Sequence, residues 1–161
     1  MKNAVLTEGL NGLDAQQSAV VVDKLNTLLS SYQFYYQNLR GFHWNIKGKA
    51  FFSLHEKFEG LYDEAAGTID ELAERILTLG GRPLHSFAEY TEQTYIKALL
   101  DISDGEEAVK AVIDNNQELL GQLRGLLELA GENNDEGTAS LASGLIEGIE
   151  KTIWMFRAWL A

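Results

Sequence analysis

Cysteine is absent from the 161 residues. Without it neither a disulfide framework nor a thiolate zinc site can form, so any metal must be held by nitrogen and oxygen ligands. Proline occurs once, at Pro83. That is too few turn-formers for the frequent reversals of a sandwich or barrel, and the plentiful Ala, Leu, Glu and Gln point to an all-α fold. Basic side chains are scarce, 13 Lys and Arg against 24 Asp and Glu, which leaves a formal charge of -11. Such a surface repels phosphate backbones and favours cations or basic partners. Long apolar runs are missing as well. Asn3, Thr7, Glu8, Asn11 and Asp14 interrupt any apolar segment after Met1 and Lys2, and nothing approaches the roughly 20 apolar residues of a membrane span. A soluble, cytoplasmic protein with no membrane partner is expected.

What remains is 45% hydrophobic, enough for one core at this length. Residues 1–161 read as a single domain, with residues 1–13 as a flexible N-terminal tail. From Asp14 to Asn45, Val20, Val21, Leu25, Leu28, Leu29, Tyr32, Tyr35, Tyr36 and Leu39 step in threes and fours, the face of a long helix. Gly48 interrupts the run. Ser53 with Glu56 forms a capping box that starts a second helix, which runs to Leu79 and stops at Gly80, Gly81 and Pro83. Arg82 to Asp101 has weaker periodicity. Ser86 and Glu89 cap a short helix there, and Tyr95 to Leu100 reads as a further turn. Ser103 and Glu106 start a third long helix that reaches Ala130. Gly131 to Gly137 reads as an acidic loop before a last helix carrying Leu141, Leu145, Ile149, Ile153, Phe156 and Leu160. The sum is a four-helix bundle with a short helix in the crossover.

Histidine is scarce too: His43, His55 and His85. His55 and Glu59 are four apart on the second helix, as are Asp70 and Glu74, so each pair points one way. At about 100° per residue all four share one broad face, yet His55 and Asp70 are separated by roughly 22 Å along the axis. No single ion spans that distance. A standard bundle would complete each half-site from its other helices, but the last two helices contain no histidine. A two-fold dimer with antiparallel second helices resolves this, bringing His55 and Glu59 of one chain to Asp70 and Glu74 of the other, twice over by symmetry. His43, at the end of the first helix, is placed to join His55. Nitrogen and carboxylate ligands with open positions suit iron(II) or zinc alike. A solvated or salt-bridged face is the alternative reading of the carboxylate pairs.

The run His43-Trp44-Asn45-Ile46-Lys47-Gly48, then Phe52, Leu54-His55-Glu56, Asp70-Glu71-Leu72-Ala73-Glu74-Arg75 and Gly80-Gly81, closely resembles the Dps-type miniferritins of the ferritin-like superfamily. The ending from Glu150 to Ala158 is similar to that family's last helix. The resemblance covers nearly the whole chain. It implies a homo-dodecameric hollow shell built from two-fold dimers, with a ferroxidase site across each two-fold interface. The ligands it implies are His43, His55, Glu59, Asp70 and Glu74, holding two iron ions per site as Fe(II) and Fe(III). The family commonly has aspartate where this chain has Glu59, one methylene longer, and that difference bears on the second iron.

By the same resemblance, iron(II) is oxidised by hydrogen peroxide and stored as ferric mineral, which protects against oxidative stress. Trp44 would lie near the iron pair, either packed at the dimer interface or quenching stray oxidants. Acidic three-fold pores would admit iron beside the loop before the last helix, where Asp135 and Glu136 stand. A merely solvated loop, with Asp135 at a helix N-terminus, is the other reading. His85 matches no ligand and reads as structural or exposed. Arg75 reads as a salt-bridge partner that orders carboxylates or an interface.

The competing function is nucleoid compaction by DNA binding without significant ferroxidase activity. Members that bind duplex DNA directly tend to carry a lysine-rich tail. Here the first thirteen residues hold one basic side chain, Lys2, and the chain ends in Trp159-Leu160-Ala161. Twelve subunits would multiply the charge of -11 twelvefold, so weak or no DNA binding is expected.

Overall fold

The computed structural model describes residues 11–161. Five helices carry them: α1 (Ala15–Asn45), α2 (Phe51–Thr78), α3 (Phe87–Gln93), α4 (Gly105–Glu132) and α5 (Glu136–Leu160). The four long ones form the bundle, and α3 lies in the crossover between α2 and α4, the all-α architecture expected. Of the expected tail, residues 1–10 lie outside the described residues. Asn11 to Leu13 form a turn in which the Leu13 amide donates to Asn11 Oδ1 at 3.1 Å and the Leu13 side chain packs on the core.

Asp14 caps α1, its carboxylate accepting from the amides of Gln16 and Gln17 at 3.0 and 2.9 Å, two donors that have no partner inside the helix. Leu25, Leu28, Leu39 and Phe42 of α1 meet Phe58 and Leu72 of α2, Val112 and Leu119 of α4, and Ala142 and Phe156 of α5 in one continuous core. Each large side chain so buried contributes about 1.5–3 kcal/mol.

Two helix starts differ from expectation. α2 begins at Phe51, two residues before Ser53, with Ala50 at the cap position and no side-chain cap. Gly48, at φ 102°, turns the chain early, and the Phe51 amide closes that turn on the Gly48 carbonyl at 3.1 Å. A positive φ of this size suits glycine. Ser53 instead donates its hydroxyl back to Ala50 O. At α4 the cap is Asp104, which accepts from the Glu107 amide at 2.9 Å. Ser103 serves the α1–α2 turn, its carbonyl accepting from the Lys47 amide at 2.9 Å. The expected loop at 131–137 shrinks to 133–135, because α4 runs on to Glu132 and α5 starts at Glu136.

Tyr95 to Leu100 forms no helical turn. Side chains of α1 satisfy this part of the crossover, whose backbone groups have no ladder of their own. Asn38 donates to Lys97 O and accepts from the Leu99 amide, both at 2.9 Å. Twelve residues earlier, Asn26 repeats the pattern on Arg82 O and the Leu84 amide, at 3.1 and 2.9 Å. Ser31 between them accepts from the Tyr95 amide at 3.2 Å.

α3 does start at the expected Ser86 cap, with Glu89 as its partner. Ser86 accepts from the Glu89 amide and donates to the Glu89 carboxylate, and Arg82 closes on the same carboxylate at 2.9 Å. The Ser86 hydroxyl first, and Arg82 after it, hold the Glu89 carboxyl down to about 2 from its usual 4.5. Because the folded value is lowered, this contribution to stability is complete above 4.5 and disappears as the pH falls toward 2. Glu89→Gln is therefore expected to melt below the unsubstituted protein at pH 6, with the gap closing between pH 4.5 and 2. A gap that is constant over that range would contradict the assignment.

Candidate metal centre

His43 ends α1 and His55 lies in the first turns of α2, so the short α1–α2 connection brings the two histidines face to face. His43 Nδ1 lies 2.7 Å from the His55 carbonyl and His55 Nδ1 lies 2.7 Å from the His43 carbonyl. A carbonyl only accepts, so both Nδ1 atoms carry the proton and donate. In the neutral ring Nε2 then keeps its lone pair, the form in which imidazole binds a metal. His43 is buried and His55 half-buried.

The two rings stack, with centroids 3.7 Å apart and planes 17° from parallel. One ligand atom from each of His43, His55 and Glu59 lies within 4.8 Å of the others. This stack bears on how many ions the group serves. Each Nε2 lone pair lies in its ring plane, and two stacked, near-parallel planes do not converge on one shared ion at bonds of about 2.1 Å. Near-parallel rings therefore suit two ions, one for each histidine, as in two-metal sites.

Phe51 stacks on the far face of His55, centroids 4.9 Å apart at 22°. Tyr62 sets its ring edge against His43 at 5.3 Å and 86°. Burial, and after it the charges of Glu59 and Asp63, push the Tyr62 phenol up from its usual range. Phe51 and Tyr62 are functional neighbours that the motif reading passed over. The signal was in the spacing, because Phe51, His55, Glu59 and Tyr62 follow each other at intervals of four, four and three along one helix stripe.

Asp70 and Glu74 stand exposed farther along α2. Among the described residues no third ligand joins them at metal-holding spacing. Trp44 is 56% exposed, with the Arg40 guanidinium 4.6 Å above its ring. His85 donates from Nδ1 to the Pro83 carbonyl at 3.0 Å.

The two expected pore carboxylates part company. Glu136 is exposed in the first turn of α5, whereas Asp135 is 2% exposed. Asp135 caps α5 through the Thr138 amide and accepts from the Thr138 hydroxyl at 2.6 Å. Arg75 donates to the same carboxylate at 2.5 Å and to Thr138 Oγ1 at 3.0 Å. The Asp135 carboxylate is thus committed to joining α2 to α5 rather than facing a channel. Gly137 leaves room for it, since a Cβ there would come within 2.7 Å of the Arg75 guanidinium.

The family model for the ferritin-like domain matches residues 22–161. The crystal structure of a Dps protein from Vibrio cholerae O1, described as a member of a broad superfamily of ferritin-like diiron-carboxylate proteins, superposes with a TM-score of 0.94 at 50% identity, covering 99% of this chain and 100% of that one. The chain belongs to the Dps-type miniferritins. A DNA protection during starvation protein from Porphyromonas gingivalis is 46% identical over 93% of this miniferritin and 94% of its own length. The crystal structure of a Dps protein from Bacillus brevis, at 38% identity, gives a TM-score of 0.88 and covers 91% and 98% of the two chains. Among the described residues of the miniferritin, no helix is long and apolar enough to cross a membrane.

Proposed function

We propose that this miniferritin stores and detoxifies iron in the cytoplasm, oxidising iron(II) at a two-ion site shared by two subunits and holding the ferric mineral inside a dodecameric shell. The observation that carries the reading is the stacked His43–His55 pair, whose Nδ1 atoms are taken by backbone carbonyls and which offers one ligand atom per ring within 4.8 Å of Glu59. In this reading Asp70 and Glu74 come from the partner across a two-fold axis.

Iron is the substrate here. Two ferrous ions side by side each give one electron to a peroxide molecule, the O–O bond breaks, and with water the products are ferric oxyhydroxide and protons. Supplying both electrons together avoids the one-electron cleavage that releases hydroxyl radical. Carboxylates of Glu59, Asp70 and Glu74 favour the harder ferric ion over the ferrous one, which assists the loss of an electron. The backbone carbonyls take the Nδ1 protons of both imidazoles and leave Nε2 as the nitrogen for the metal. The exposed acidic surface, Glu136 included, attracts cations toward the shell.

Anaerobic titration with iron(II), followed by one peroxide per two irons, tests this. Saturable uptake of two ions per chain and a fast rise of ferric absorbance are expected. Binding without saturation, and no absorbance change on adding peroxide, would refute it. The relatives' DNA-protection names fit protection through iron removal. The charge of -11 speaks against direct duplex binding at physiological salt.

A further inference from the structure

We propose that Phe51 and Tyr62 are positioning residues, which clamp the histidine pair from both sides and so fix the spacing at which it presents two ions. This inference rests on the metal-site reading above.

Four rings stand in series: Phe51 parallel to His55 at 4.9 Å, His55 parallel to His43 at 3.7 Å, and Tyr62 edge-on to His43 at 5.3 Å. Each histidine has one hydrogen bond, at Nδ1. A single bond leaves a ring free to tilt about it, and a tilt swings the Nε2 lone pair away from its ion. The aromatic faces prevent that motion. Phe51 closes the outer side of His55, and Tyr62 closes the outer side of His43. Tyr62 is in turn braced edge-on by Tyr36, centroids 6.0 Å apart, so the clamp is anchored in α1 as well as α2.

The roles of the two clamp residues differ in a way that can be measured. Phe51 touches only the His55 ring of the pair, so its loss concerns one ion. The phenol oxygen of Tyr62 is not required for an edge contact, so Tyr62→Phe should be silent for binding where Tyr62→Leu is not. Packing of this kind acts on ligand orientation, the level at which changes typically cost about 10–100-fold in metal affinity.

Cobalt(II), added anaerobically to the assembled protein, is a suitable probe because its visible d–d bands report coordination. Calorimetry should give two ions per chain for the unsubstituted protein. Phe51→Leu should keep one tight ion and weaken the other at least about 10-fold, with a matching loss of band intensity. Phe51→Tyr, which restores a ring, should recover both. Tyr62→Leu should show the same one-ion defect, additive with that of Phe51→Leu, and Tyr62→Phe should show none. Two unchanged affinities and unchanged spectra in both leucine variants would overturn the clamp. An unsubstituted protein that fails to bind cobalt saturably would instead overturn the metal-site reading itself, whatever the variants do.

Discussion

Arg75→Met is expected to lower the free energy of unfolding by about 3 kcal/mol, the cost of leaving a buried carboxylate without its cation. Asp135 is 2% exposed and Arg75 is half-buried, so neither solvent nor another cation replaces the lost partner. Thr138 still donates twice to Asp135, which keeps the loss from being larger. Asp135→Asn should cost about 1 kcal/mol, because the amide oxygen still caps α5 and the Arg75 head can turn toward water. The double variant should lie closer to Asp135→Asn than to the sum of the two, since removing the cation no longer strands a charge. Urea unfolding at one fixed protein concentration provides the comparison. An Arg75→Met variant within about 0.5 kcal/mol of the unsubstituted protein would show that the ion pair is not what joins α2 to α5.

That bond has a bearing on the metal centre. Arg75 follows Glu74 directly, and Asp70 lies one turn earlier, so the anchor at Asp135 fixes the segment of α2 that offers both carboxylates. The ion pair thus ties the loop before α5 to the stretch of α2 that carries Asp70 and Glu74.

Much of the fold was legible in the sequence because it depends on local chemistry. Ser86 and Glu89 cap their own helix, and the α1 core positions repeat every three or four residues. The misread starts have a common cause. Ser53 and Ser103 carry the capping signature, but a glycine turn at Gly48 and the neighbouring Asp104 act before them. Contacts distant in sequence left no local mark. Nothing around Asp135 reveals an arginine 60 residues earlier, and nothing around Tyr95 reveals the serine and asparagines of α1 that hold the crossover.

The metal centre divides along the same line. Spacing along α2 sorted His55 with Glu59 and Asp70 with Glu74, and it required a partner to unite them. It did not reveal that His43 and His55 stack, because stacking depends on how two helices meet. It did place His43 to join His55 and Glu59, and the structure gathers these three candidate ligands within one chain. A single subunit thus presents the nitrogen half of the candidate centre, and in the proposed reading the carboxylates of Asp70 and Glu74 come from the partner.

The proposed sharing of the site between subunits leads to an expected rescue from two inactive proteins. His43→Ala with His55→Ala removes the nitrogen ligands, and oxidation of iron(II) by peroxide should fall at least about 100-fold, beyond the loss typical of changes to outer groups. Asp70→Asn with Glu74→Gln removes the carboxylates and should be similarly inactive. Each protein alone has no complete site. Unfolded together and refolded as mixed assemblies, the two chains pair at random across two-fold axes, and each mixed dimer has one intact site and one doubly damaged site. Half the dimers are mixed and half of their sites are whole, so roughly a quarter of the unsubstituted activity should return. Simple mixing of the assembled proteins, without exchange of subunits, should return none. If the five ligands instead belonged to one chain, refolding the mixture would recover nothing, because every chain would lack part of its own set. The distance of roughly 22 Å between His55 and Asp70 along α2 makes the intersubunit outcome the one the helix geometry demands.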